Sequence, residues 1–239
     1  MNELSSKRIK KILIGVILSD GHIANTGKSA RFDLYSKKEE YALYIKDVLN
    51  NLTGSFPIIY RKTDKRFSTS GFRVYSKSSR YFKKLLDIFY LDGVKKLSRY
   101  VVKRLDPEAL AHVWMCDGML HFKWNKKRDS VQIHGYFCLE SFEKEELEVL
   151  IDHLNSLGIT ASLLKVRWGK GYRIKITGEE LRKFISLIYD FVLPCFKYKC
   201  NLYYKSAEVL KDLPKTEQFV TIYDNLSQIE DIIRTRRNS

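Results

Sequence analysis

The chain has 239 residues, 44% of them hydrophobic, enough for one globular core or two small cores fused tightly. Lysine and arginine number 43 against 28 aspartates and glutamates, a formal charge of +15 that calls for a polyanionic partner, nucleic acid before an anionic membrane surface. The membrane reading fares poorly, because no stretch approaches the ~20 uncharged apolar residues that a spanning helix needs.

The first expected element is a helix from about Ser6 to Asp20, stopped by Gly21. Its lysines (Lys7, Lys10, Lys11) before an apolar run imitate a signal peptide, but the run ends on Ser19, Asp20 and Gly21 with no small-residue cleavage site. A strand follows, with Phe32 and Leu34 on one face and Arg31, Asp33 and Tyr35 on the other. Ser36-Lys-Lys-Glu39 reads as a capping box that opens a helix to about Leu52. Strands are expected near Ile58–Lys62 and Phe72–Tyr75, then a helix from Ser78 or Ser79 through Phe89. Asp106 is a good N-cap, with Pro107 at the first position of a helix running to Asp117. Strands near Leu120–Trp124 and Val131–Leu139, a helix from Ser141 to Leu157, strands near Leu163–Arg167 and Tyr172–Ile176, and a helix from Thr177 or Gly178 complete the order.

The chain repeats itself. Leu13-Ile-Gly-Val-Ile-Leu-Ser-Asp20-Gly21 resembles Leu110-Ala-His-Val-Trp-Met-Cys-Asp117-Gly118, 97 residues on. Asp47-Val-Leu-Asn-Asn-Leu52 resembles Asp152-His-Leu-Asn-Ser-Leu157, and Phe72-Arg-Val74 resembles Tyr172-Arg-Ile174, in the same order and at similar offsets. Two units follow, 1–104 and 105–239, each αββαββα: an α+β fold of two antiparallel sheets related by a pseudo-twofold axis. The four cysteines (Cys116, Cys138, Cys195, Cys200) form no CxxC pair or zinc-finger spacing and read as reduced thiols of an intracellular protein. Four prolines, twelve glycines and no low-complexity tract leave little room for a flexible linker.

Asp20 and Asp117 each fall in the last turn of an expected helix, just before glycine. A helix C-terminus carries about −0.5 charge, so a carboxylate there is unfavourable by a few tenths to ~1 kcal/mol. The sequence makes that choice twice at matching places, and a divalent cation would offset it. Gly15, Ser19 and Cys116 are small enough for the two helices to pack closely, which would bring the acids to one end. An oxygen-rich pair of this kind suits Mg²⁺, or Mn²⁺. The competing reading makes each Asp-Gly a helix terminator followed by a left-handed glycine.

These segments resemble the two signature motifs of the LAGLIDADG homing endonucleases. Leu105 to Gly118 in particular is similar to the second motif of the single-chain subgroup that includes the yeast mitochondrial omega-intron endonuclease. The resemblance runs from about Lys7 to Tyr204. It implies a saddle of two sheets over DNA and divalent metal held by the last acid of each motif, Asp20 and Asp117. Leu18 and Met115 stand where the motif has an earlier, non-catalytic acid, and His112 replaces a small residue. The family places one basic residue per repeat beside the scissile phosphates. Leu193-Pro-Cys-Phe-Lys-Tyr-Lys199 resembles the segment supplying it in the second repeat, which implies Lys199. The counterpart lies in Val94-Lys-Lys-Leu97, as Lys95 or Lys96, with Lys96 preferred because Lys96-Leu-Ser resembles Lys199-Cys-Asn.

Strand alternation gives the DNA face. With Phe32, Leu34, Phe137 and Leu139 inward, the outward set is Arg31, Asp33, Tyr35, Lys62, Arg73, Tyr75, Gln132, His134, Lys165, Arg167, Arg173 and Lys175, joined by Tyr60 and Tyr136. A two-stranded ribbon fits the major groove, where arginine reads guanine and glutamine reads adenine. The first function these features imply is a metal-dependent, site-specific endonuclease, active as a monomer on double-stranded DNA and encoded in an intron. The others are an intron maturase that binds RNA and a non-catalytic DNA-binding regulator, and both predict dispensable acids. An abundance of Lys, Ile, Tyr and Asn hints at an AT-rich genome such as that of a mitochondrion, a chloroplast or a phage. The run Arg234-Thr-Arg-Arg237 reads as a basic arm.

Overall fold

The computed structural model describes residues 4–52, 56–64, 69–125, 130–167, 169 and 171–202. The basic run at 234–237 lies outside them.

Helix α1 (Ser6–Leu18) starts at Ser5, whose hydroxyl accepts from the Arg8 amide at 3.3 Å. It buries Ile9, Ile12, Leu13, Val16 and Ile17, the i, i+3, i+4 stripe of a core-facing helix. It ends at Leu18, two residues earlier than expected, and strand β1 (Gly21–Asn25) begins almost at once. Neither motif glycine is left-handed. Both are needed because the strand folds back on its own helix. A Cβ on Gly21 would stand 2.7 Å from the Val16 carbonyl oxygen, and one on Gly118 would stand 2.3 Å from the Trp114 ring and carbonyl. The terminator reading of Asp-Gly, and with it the missed strand β1, is corrected by that geometry.

β1 pairs antiparallel with β2 (Ala30–Ser36), where Phe32 and Leu34 point into the core. Ser36 is the last residue of β2, and its hydroxyl accepts from the Lys38 amide at 3.1 Å. The serine thus closes a turn, and α2 (Glu39–Asn50) starts without a side-chain cap. Strands β3 (Ile58–Asp64) and β4 (Thr69–Tyr75) complete a sheet in the order β1-β2-β4-β3, and α3 (Arg80–Phe89) packs on it from a Ser79 cap.

A two-residue hairpin, β5 (Tyr90–Leu91) and β6 (Val94–Lys95), and a short helix α4 (Arg99–Val102) connect the halves. Helix α5 (Pro107–Asp117) is capped by Asp106, which accepts from the Ala109 amide at 3.0 Å. Strands β7 (Gly118–Asn125), β8 (Ser130–Phe137), β9 (Ser162–Lys165) and β10 (Tyr172–Thr177) form a second sheet in the equivalent order β7-β8-β10-β9. Helices α6 (Lys144–Ser156) and α7 (Gly178–Ile188) cover it, and 3₁₀ segments Tyr189–Phe191 and Pro194–Cys200 lead back toward α5. Each half therefore has the order αββαββα, and the fold is the α+β saddle of two antiparallel sheets.

The halves join where α1 packs on α5. A Cβ on Gly15 would stand 2.2 Å from the Ala109 carbonyl oxygen and 2.9 Å from His112 Cβ, so only glycine permits this approach. Residues Ala109 to Met115 are buried all round, and one apolar core runs through both halves. Burying seven consecutive residues of one helix is what fixes the two motif ends relative to each other.

Candidate active site and concave face

The ends of α1 and α5 carry Asp20 and Asp117, and the structure brings them close enough for each to act electrostatically on its surroundings as one site. Desolvation pushes the Asp117 carboxyl up to about 7, and the Asp20 charge adds to the rise. Asp20 is also raised, again by desolvation first, while the Cys116 thiol donates to it and the charges of Lys199 and Lys95 lower it. Asp20 lies open to the cleft and Asp117 is half-buried. A concave floor reaches water on one side but is poorly solvated by the protein on the others, which is why an open carboxylate still feels burial.

Each helix end also holds a lysine. Lys95, on β6, donates from Nζ to the carbonyls of Ser19 and Gly21 at 2.8 Å each. Lys199, in the last 3₁₀ segment, donates to the carbonyls of Met115 at 2.7 Å and Cys116 at 3.1 Å. The Met115 and Cys116 carbonyls are ones that a helix end leaves without intrahelical partners, whereas Lys95 bridges the Ser19 carbonyl at the end of α1 and the Gly21 carbonyl at the start of β1. Burial lowers the pKa of both lysines, and both acids act to raise it. The indole N–H of Trp114 donates to the Lys199 carbonyl at 3.0 Å and ties the 3₁₀ segment to α5.

Lys96, preferred over Lys95 from the sequence, is turned away. Its ammonium lies 3.9 Å from Glu146 on α6. Within the hairpin Lys95 is the residue opposite Tyr90, and successive strand side chains point to opposite sides. The correction follows from that alternation, which the local likeness of Lys96-Leu-Ser to Lys199-Cys-Asn could not reveal.

Several neighbours of the acids carry no chemical role in the sequence reading. Cys116 is half-buried, its thiol is pushed up to about 12 by desolvation and then by Asp20, and the Tyr41 hydroxyl lies 3.5 Å away. Tyr41 also contacts His112 Nδ1 at 3.1 Å. Glu140 follows β8, pairs with Arg173, and its charge contributes to the rise at Asp117. A cavity of about 300 Å³ opens beside the site, lined in part by Ser19, Lys95, Asp117, Cys138 and Ser141. Only Glu140 carried a sequence signal, as the first acid after a strand that the repeat places beside the motif.

Cross-strand register sorts the remaining expected residues. In the first sheet Asp33 lies opposite both His22 and Tyr75, Tyr35 opposite Arg73, and Tyr60 opposite Arg73, with Lys62 opposite Gly71. Arg31, Asp33, Tyr35, Lys62, Arg73 and Tyr75 therefore share the face away from the helices. In the second sheet Gln132 lies opposite Lys123, His134 opposite His121 and Thr177, and Tyr136 opposite Met119 and Lys175. Gln132, His134, Arg173 and Lys175 share the corresponding face. Lys165 does not. It pairs with Tyr172, on the side of Ile174 and the core, while Leu164 is opposite Arg173. Arg167 lies beyond β9, exposed in the bend before β10. Sequence alternation gives the wrong phase for this strand because Leu163 and Leu164 are both apolar, and two adjacent apolar residues do not say which one points inward.

Within the described residues no helix is long and apolar enough to cross a membrane. Comparisons with known proteins agree with the geometry. The protein is 27% identical over 212 residues to the DNA endonuclease I-ChuI of Chlamydomonas applanata, covering 80% of this chain and 94% of that one. It is 29% identical over 199 residues to the probable intron-encoded endonuclease 1 of Wickerhamomyces canadensis, covering 81% and 84%. Its fold superposes on the homing endonuclease I-WcaI bound to its DNA recognition sequence with a TM-score of 0.70 at 24% identity, covering 85% of this chain and 90% of that one. The model of the LAGLIDADG DNA endonuclease family matches residues 10–184 and so takes in both motif helices and both sheets. The chain belongs to the LAGLIDADG DNA endonuclease family.

Proposed function

We propose that this protein is a monomeric homing endonuclease that hydrolyses one phosphodiester bond in each strand of a long, asymmetric DNA duplex site. The observation that carries the reading is the convergence of two carboxylates and two lysines, one of each per half, at the paired ends of α1 and α5. No stability argument explains that arrangement. Both acids sit where desolvation and the helix dipole oppose their charge. Residues 1–104 and 105–239 are assigned as the two repeats, and one chain then supplies the near-symmetry that a two-strand cut requires.

The site fits a divalent cation, Mg²⁺ or Mn²⁺. Its carboxylates are raised and mutually repelling, the state that a cation relieves. No group of three or more His, Cys, Asp or Glu side chains suited to a metal occurs among the described residues. Two carboxylates, with water and DNA phosphate completing the shell, are the donor set such an ion takes. When bound, the ion supplies Lewis-acid polarisation of the phosphate and a more acidic water.

The protein's own groups do the rest. Asp20 and Asp117 fix the two ligand positions on rigid helix ends. Lys95 and Lys199 place a cation beside each scissile phosphate, where charge accumulates as water adds to phosphorus and the bond to the 3′-oxygen breaks. The concave faces, with Arg31, Tyr35, Lys62 and Tyr75 on one sheet and Gln132, His134 and Lys175 on the other, lie in successive major grooves. An intron reading frame in a mitochondrion or chloroplast is the setting this activity implies.

The test is cleavage of a duplex pool containing randomised sites with Mg²⁺, comparing the wild type with Asp20→Asn and Asp117→Asn. The expected outcome is double-strand cleavage by the wild type, loss of it in each variant, and retained binding. Binding without cleavage by all three proteins would make the acids structural and the reading wrong.

A further inference from the structure

The residues of the concave face differ in what they have left to offer DNA. Lys62 is exposed and makes no ion pair among the described residues. Arg73 is at the opposite extreme. It stands on the central strand β4, between Tyr35 on β2 and Tyr60 on β3. Its Nε donates to Asp33 Oδ1 at 2.7 Å and its Nη2 donates to Asp33 Oδ2. Its Nη1 donates to the Tyr60 hydroxyl at 3.2 Å. The Tyr60 ring is held edge-on against Tyr75, with ring centroids 6.0 Å apart.

A guanidinium has five N–H groups in a rigid plane. Asp33 and Tyr60 use three of Arg73's. One remains on each of Nη1 and Nη2, and the side chain is still 28% exposed. The paired carboxylate cancels the positive charge, so Arg73 adds little to the attraction of phosphates. What it keeps is geometry: an oriented fork with two hydrogens to give. Two adjacent acceptors on a base edge match that fork, and in the major groove the pair N7 and O6 of guanine provides them. Fixing the plane in advance also spares the entropy of ordering a long side chain on binding.

We infer that Arg73, held by Asp33 and Tyr60, is a specificity-determining residue that reads a guanine in the target, while unpaired cations such as Lys62 contact phosphates. The inference rests on the endonuclease reading, since it takes this face as the one that meets DNA. Within that reading Asp33 is a positioning residue. It touches no base, and it sets both the plane and the charge of the group that does.

The experiment is selection from a randomised duplex pool by binding in Ca²⁺, so that cleavage plays no part, followed by the salt dependence of affinity for the selected site. It compares the wild type with Arg73→Ala, Arg73→Lys, Asp33→Asn and Lys62→Ala. The wild type is expected to select guanine at one position of the half-site under the first sheet. Arg73→Ala and Arg73→Lys should both lose that preference, about 5- to 160-fold, with other positions unchanged. Lysine keeps the charge but has no fork, so its failure would separate geometry from charge. Asp33→Asn frees the arginine's charge. It should bind all sequences more tightly, steepen the salt slope by about 0.9, and weaken the guanine preference. Lys62→Ala should lower the salt slope by a similar amount and leave every base preference intact.

A purely structural ion pair would leave the guanine preference intact in Asp33→Asn, whatever the gain in non-specific affinity. Unchanged base preferences in both arginine variants, or a shallower salt slope in Arg73→Ala with uniform weakening, would overturn the inference. Failure of the wild type to bind any duplex would instead overturn the endonuclease reading.

Discussion

Lys95 and Lys199 make matching contacts at opposite halves of the molecule: each ammonium donates to two backbone carbonyls where a motif helix gives way to its strand, at 2.7 to 3.1 Å. They come from unrelated local structures, a two-residue hairpin and a 3₁₀ segment. Helix-end carbonyls would accept from water as readily, so satisfying them does not require lysine. The repetition is explained by the acids beside them, whose charges act on both lysines.

Lys95→Met and Lys199→Met should each lower the cleavage rate by about 10²- to 10³-fold with DNA affinity nearly unchanged. Lys96→Met should cleave within about twofold of the wild type, since its partner is Glu146. Single-turnover cleavage and binding to the same duplex measure both. A loss in Lys96→Met equal to that in Lys95→Met would remove the assignment made from the hairpin.

That hairpin shows where sequence reading succeeds and where it stops. Paired motifs, the Asp106 cap, a cap at Ser78 or Ser79, and the inward residues Phe32 and Phe137 were legible, because each depends on spacing within one element. Three features were not. Strand β1 follows its helix so closely that Asp20-Gly21 looks like a terminator, and only the approach of Gly21 to Val16 explains the glycine. The phase of β9 hides behind two adjacent leucines. The choice between Lys95 and Lys96 depends on which way a two-residue strand faces, a matter of tertiary placement.

Asp117 links metal and stability through pH. Its folded-state pKa is about 7, against 3.8 as the ordinary value. Between those limits the folded protein binds more protons than the unfolded one, so without metal this group's contribution falls as pH rises from about 4 to 7 and is unfavourable above. Asp117→Asn should therefore melt higher than the wild type in EDTA at pH 8, by about 1–2 kcal/mol after allowing for hydration of the open cleft. At pH 4 or below the two should nearly coincide. Mg²⁺ should raise the wild-type melting temperature at pH 8 and leave that of Asp20→Asn/Asp117→Asn unmoved. A thermal melt series with and without Mg²⁺ measures this, and an equal response of the double variant to Mg²⁺ would place the ion elsewhere. Cleavage at limiting Mg²⁺ should rise from pH 6 to 8 as the carboxyl loses its proton to solvent and becomes free to bind the cation.

Gly15 sets how closely the motif helices approach. Gly15→Ala would put a methyl group 2.2 Å from the Ala109 carbonyl oxygen, a backbone atom in the buried stretch from Ala109 to Met115. The helices must separate, at a cost of about 1–3 kcal/mol for an overpacked core. Separation also moves Asp20 relative to Asp117, so cleavage should fall by more than the loss of folded protein accounts for. Urea denaturation alongside cleavage at a temperature where both proteins are folded distinguishes the two effects. Full activity in a stable variant would show that the site tolerates a wider crossing.

His112 lies beneath the site, stacked between Tyr41 and Tyr44 with ring centroids 5.9 and 5.8 Å away. Burial depresses its pKa to about 3, with a smaller effect from the Arg8 charge, so it is neutral in the folded protein. The unfolded chain takes up a proton near the ordinary value of 6.5, and the folded one does not. Stability from this residue is therefore fully present above about pH 6.5 and is lost as pH falls toward 3, by up to about 1.4 kcal/mol per pH unit. Asp117 works in the opposite direction over much of the same range, so the wild-type profile alone would hide both. The comparison that isolates His112 is Asp117→Asn against Asp117→Asn/His112→Phe, unfolded in urea at pH 7 and pH 5. The histidine protein should lose about 2 kcal/mol relative to the phenylalanine protein between those pH values. Parallel profiles would mean that His112 takes up its proton in the folded state, with the Tyr41 hydroxyl turned to accept from it.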